Sequence, residues 1–81
     1  MDRETVFNAL RTELAHLLPD LDLEKMTEDD SLQDLGANSI DRFDIITNTM
    51  YRLPLEKKPQ LTDFSECKNI GDIVYVFLNN Q

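Results

Sequence analysis

The chain has 81 residues, 16 of them Asp or Glu and 8 Lys or Arg, and a formal net charge of −8 at pH 7. A chain this short forms one domain, residues 1–81, and commits nearly every large apolar side chain to its core, which leaves few for the walls of a catalytic cleft. Its acidity disfavours nucleic acid and anionic membrane as partners and favours basic proteins.

Met1 is followed at once by Asp2, Arg3 and Glu4, with no apolar run long enough for a signal peptide or a membrane span, so a cytoplasmic protein is expected; it is also expected to be a monomer. The single cysteine, Cys67, has no partner for an internal disulfide, and with one histidine, His16, no Cys/His zinc set can be assembled. Cys67 reads as a small core filler and His16 as a helix-surface residue.

In chain order, Val6, Phe7, Leu10, Leu14, Leu17 and Leu18 recur at three- and four-residue spacing and line one face of a helix over about 3–17. Asp2 is placed to cap it, and Pro19 stops it. From Asp20 to Gly36 the periodicity dissolves into a long acidic connection with isolated apolar anchors at Leu21, Leu23, Met26, Leu32 and Leu35. A bare loop of this length is unusual, so the anchors predict that it packs across the helices, with one short helical turn around Asp30 to Leu35. Asp20, Asp22 and Glu24 fall at the first, third and fifth positions of a possible calcium loop. Its sixth position is Lys25 instead of glycine and its twelfth is Ser31 instead of glutamate, so the motif fails.

A second helix follows Ser39, with Ile40, Phe43, Ile46, Met50 and Leu53 on one stripe and Asp41, Arg42, Asp44 and Asn48 largely off it; Pro54 ends it. Asp41 and Asp44 lie near its first turn, where the helix dipole favours carboxylates. The stretch Pro54 to Gln60, with Lys57 and Lys58, reads as a polar surface loop. Thr62 then resembles a cap for a short turn carrying Phe64 and Cys67. Asn69 caps a last helix with Ile70, Ile73, Val74, Phe77 and Leu78 on one face, widened by Tyr75 and Val76 in a way that predicts deep packing. The fold class is therefore all-α: a small four-helix bundle of three longer helices and one short one, with a long first loop.

No nucleophile is paired with a candidate base, and no glycine-rich phosphate loop or metal cluster is legible, so an intrinsic enzyme is not expected. Ser39, at the start of the second helix, reads either as a plain helix cap or as an exposed hydroxyl that takes a phosphate-linked group, since a helix start favours anionic oxygen.

The run Asp30-Ser31-Leu32-Gln33-Asp34-Leu35-Gly36-Ala37-Asn38-Ser39-Ile40-Asp41, followed by a striped helix, resembles the phosphopantetheine attachment region of acyl carrier proteins. The resemblance extends to helix order, length, acidity, the proline-bounded loop and the Asn69-Ile70-Gly71-Asp72 helix start, and it implies that family's four-helix bundle. The family's familiar Asp-Ser-Leu triplet occurs at Asp30, Ser31 and Leu32. Ser31 opens no long helix, however, whereas Ser39 follows Leu-Gly-Ala and does. The resemblance therefore implies 4'-phosphopantetheine on Ser39, installed by a phosphopantetheinyl transferase, with Asp41 and Asp44 facing basic partner surfaces and no catalysis by the carrier itself.

Three neighbours depart from the usual pattern: Asn38 stands for aspartate, Ile40 for leucine, and Arg42 adds a positive charge. The run from Gly36 to Arg42 is similar to the freestanding donor carriers of polyketide β-branching cassettes. That likeness implies an acetyl group on the arm, made from malonyl by a malonyl-loading acyltransferase and a decarboxylating ketosynthase-like enzyme. It would then be donated to an HMG-CoA-synthase-like enzyme. On this reading Asn38, Ile40 and Arg42 govern the choice of client, and Phe43, in place of a small residue, is either core or a partner contact. The alternatives are a general carrier for fatty acid, polyketide or peptide assembly, and an acidic helical adaptor that is never modified.

Overall fold

In the computed structural model, which describes residues 1–80, the first helix, α1, runs Arg3–Leu17 as the periodicity predicts. The Asp2 carboxylate caps it, accepting from the Thr5 amide at 2.9 Å and the Thr5 hydroxyl at 2.8 Å. Val6, Leu10 and Leu14 are fully buried, while Phe7, Leu17 and Leu18 are half-buried against the core. Glu13 is also buried and pairs with Arg52, tying α1 to the far end of the second helix.

The long connection is held, not loose. It forms a 3-10 turn over Leu23–Lys25 and buries Met26 and Leu32. Two backbone bonds lash it across the start of the last helix: the Ile70 amide donates to the Asp30 carbonyl at 2.8 Å and the Gly71 amide to the Glu28 carbonyl at 2.9 Å. These satisfy amides that a helix start leaves without partners. The Glu28 carboxylate also pairs with Arg3, which joins the loop to α1. Gly71 eases the approach, because a Cβ there would stand 3.1 Å from Glu28 Oε1 and 3.3 Å from Glu28 Cβ and would push Glu28 back by a few tenths of an ångström.

The helical turn expected around Asp30 to Leu35 is present as a single turn. The Leu35 amide donates to the Ser31 carbonyl at 3.1 Å, and the Ser31 hydroxyl accepts from the Asp34 amide at 3.0 Å. Ser31 is thus a cap, which accounts for the Asp-Ser-Leu triplet structurally. The turn closes through Gly36, whose φ of 107° is the one positive value among the described residues.

Helix α2 spans Ser39–Arg52 and α3 spans Ile70–Leu78; between them lies a four-residue 3-10 turn, Leu61–Phe64, in the place of the short fourth helix. α1 packs on both α2 and α3, and the short turn packs on α3. Phe64 and Phe77 meet in the core with ring centroids 5.0 Å apart.

Three local expectations are corrected. The buried side of α2 is formed by Ile45, Thr49 and Met50, continued by Leu53, whereas Ile40 and Phe43 are 73% and 51% exposed. The α1 contact selects the row through Ile45 and Thr49, and a threonine in that row hides it from an apolar pattern. The short turn is entered at Gln60, not Thr62: the Gln60 amide donates to the Asp63 carboxylate at 2.8 Å. Tyr75 is exposed and only Val76 of that pair is partly buried, so the buried face of α3 is the narrower row of Ile70, Ile73, Val74 and Phe77.

Candidate functional site

Ser39 is the first residue of α2 and is exposed, and the helix begins there because Asn38 and Asp41 close a reciprocal cap. The Asn38 side-chain oxygen accepts from the Asp41 amide at 2.8 Å, and the Asn38 amide donates to the Asp41 carboxylate at 3.2 Å. Asparagine therefore keeps the capping function at this position, with Asp41 supplying the carboxylate near the helix start. Upstream, the Gly36 turn and buried Ala37, whose amide donates to the Leu32 carbonyl at 3.0 Å, fix the approach to the serine.

Arg42 does not lie off the packing face. It stands three residues before Ile45 and seven before Thr49, so it continues the inward row to the end of α2, and it is half-buried. Its Nη2 donates to Ser39 Oγ at 3.1 Å and its Nε to the Asn38 carbonyl at 3.4 Å. Ile40 and Phe43 face outward beside it, and half-buried Asp44 completes the set picked out by the sequence. Asn38, Ile40, Asp41, Arg42, Phe43 and Asp44 thus all gather within the first turns around Ser39.

Between α2 and α3 a cleft of about 550 Å³ opens at Ser39. Arg42, Phe43 and Ile46 form its α2 wall, Leu61, Phe64 and Ser65 its floor, and Cys67, Lys68, Asn69 and Ile73 the far side, with Ser31, Leu32 and Gln33 at the loop edge. These lining residues include two cations and not one of the chain's 16 carboxylates. Sequence reading missed this enclosure because its far side comes from a loop that no helical periodicity links to Ser39. Cys67, expected as core, is half-buried at the cleft wall; burial, reinforced by the Asp72 carboxylate, pushes its thiol pKa up, so it stays protonated at neutral pH.

The donor set suits an anion attached to Ser39: an accessible hydroxyl, a guanidinium already directed at it, and an adjoining cleft with no carboxylate among its lining residues. No family model matches the chain. It is, however, 40% identical over 76 residues, covering 94% of its own length and 90% of the relative's, to a polyketide biosynthesis acyl-carrier-protein, AcpK, of Bacillus subtilis (strain 168). The chain belongs to the acyl carrier protein family. As an acyl carrier protein it is all-helical, and no helix among the described residues is long and apolar enough to cross a membrane.

Proposed function

We propose that this acyl carrier protein bears 4'-phosphopantetheine on Ser39 and serves polyketide biosynthesis as the acetyl donor in β-branching. The observation that carries the attachment site is the exposed Ser39 hydroxyl at the start of α2, held by Arg42 at the mouth of a carboxylate-free cleft. When attached, the phosphopantetheine supplies the thiol on which an acyl group is held as a thioester. The chain's own contribution is to fix Ser39 with the Asn38–Asp41 cap and to present an outward surface of Ile40 and Phe43 flanked by acidic residues.

The carrier does no chemistry itself on this reading. The group hydrogen-bonded to Ser39 Oγ is a guanidinium, which only donates and stays charged, so it cannot take the serine's proton as a general base. Loading therefore falls to a phosphopantetheinyl transferase. A malonyl-loading acyltransferase and a decarboxylating ketosynthase-like enzyme provide the acetyl group, and an HMG-CoA-synthase-like enzyme receives it. The polyketide assignment draws support from the name of the Bacillus relative, and the β-branching step from the likeness of the run Gly36 to Arg42.

Two experiments test the parts separately. Incubation with coenzyme A and a broad phosphopantetheinyl transferase should add one phosphopantetheine to the intact mass, and Ser39→Ala should abolish the gain. The acetylated protein should then serve an HMG-CoA-synthase-like enzyme far better than a chain-extending ketosynthase; equal use by both would refute the specialisation and leave a general carrier.

A further inference from the structure

Two of the chain's four arginines pair with glutamates and two do not. Arg3 pairs with Glu28 and Arg52 with Glu13, while Arg11 lies 5.0 Å over the Phe7 ring. Arg42 alone is directed at a serine hydroxyl, and among the described residues it has no carboxylate within 4.0 Å, although the chain carries 16. A guanidinium with no carboxylate partner, half-buried beside a hydroxyl at the edge of a cleft whose lining holds no carboxylate, is arranged to meet a negative charge that the unmodified chain does not place there.

We propose that Arg42 is a positioning residue for the phosphodiester linked to Ser39, an inference that rests on Ser39 being the attachment point. The phosphodiester's free oxygens lie two bonds from Oγ, within reach of the Nη2 that already contacts Oγ at 3.1 Å. The Nε bond to the Asn38 carbonyl aims the guanidinium fork toward Ser39 instead of toward solvent. Because Arg42 belongs to the inward row of α2, holding the phosphate there draws the root of the arm toward the cleft, where Lys68 adds a second positive charge. Arg42 then acts inside the carrier, not as a contact for a client's carboxylate.

The test compares unmodified and phosphopantetheinylated protein with no partner enzyme present, for wild type, Arg42→Lys and Arg42→Gln, with loading checked by intact mass. On loading the wild type, the Arg42 Nε–H resonance should move and its exchange with water slow. The phosphorus resonance of loaded wild type should differ from that of loaded Arg42→Gln, with Arg42→Lys in between. Loading should also raise the wild-type Tm by about 2–4 °C more than that of Arg42→Gln. If the mass gain occurs but the Nε–H resonance is unmoved and the phosphorus resonance is the same in all three, the Arg42 role is overturned while the attachment site stands. Without a mass gain at Ser39, both fall. The wild-type comparison is decisive even if neither variant is accepted by the transferase.

Discussion

Gly36→Ala should destabilise the protein through backbone torsion alone. At φ 107° an L side chain is strained, yet a Cβ built there meets nothing within 4 Å, so neither a clash nor new packing enters the balance. Left-handed backbone costs an L residue about 1–2 kcal/mol, and alanine returns about 0.4–1 kcal/mol by stiffening the unfolded chain. The net loss is about 1 kcal/mol, which for a domain of this size lowers Tm by about 4–8 °C. Thermal and urea denaturation of wild type, Gly36→Ala and Gly36→Asn provide the assay, and asparagine should recover part of the loss because it tolerates left-handed backbone better. If Gly36→Ala is as stable as wild type, the turn relaxes to negative φ and Gly36 does not fix the approach to Ser39.

Further predictions concern the core, the buried pair and acid. Phe77→Ala, which empties the fully buried site beside Phe64, should cost about 3–5 kcal/mol in urea denaturation; exposed Ser39→Ala should cost far less, since Asn38 and not Ser39 makes the capping bonds. Arg52→Met should cost about 1–3 kcal/mol, less than a fully enclosed pair because Arg52 is 44% exposed although Glu13 is only 9% exposed, while Glu13→Gln, which keeps an acceptor, should cost less. Hydrogen bonding from Arg3 holds the Glu28 carboxyl below its ordinary pKa, as the Thr5 amide does for Asp2. A lowered folded pKa gives stability that is present above the unfolded value and lost as pH falls through the folded one. The stability difference between wild type and Glu28→Gln should therefore shrink on acidification below about pH 4; a difference that grows would contradict it. The difference is the readout because acid also relieves the repulsion of a net −8 charge.

What was legible in the sequence follows from how locally each feature is determined. The bounds of α1 and the Asn69 cap depend on residues a few positions apart, such as Asp2 and Thr5 or Asn69 and Asp72, whereas the packing of the long loop shows in its spaced apolar anchors and is completed by distant bonds from Ile70 and Gly71. The inward face of α2 departs from its apolar stripe because tertiary contact with α1 selects a row containing Thr49 over the more apolar row through Ile40 and Phe43. Arg42 meets Ser39 because residues three apart are neighbours on a helix, whichever face packs inward, whereas its half-burial depends on the row that α1 selects. The place of Ser39 at the start of α2 is legible from the residues around it, whereas the cleft beside it depends on Leu61, Cys67 and Lys68, which reach it only through the fold.

The most direct measurement is the intact mass of the protein after incubation with coenzyme A and a phosphopantetheinyl transferase, followed by proteolytic mapping of the modified residue. One added phosphopantetheine is expected on the peptide containing Ser39, and none in Ser39→Ala. An unchanged mass, or a group mapped to Ser31 or retained in Ser39→Ala, would contradict it.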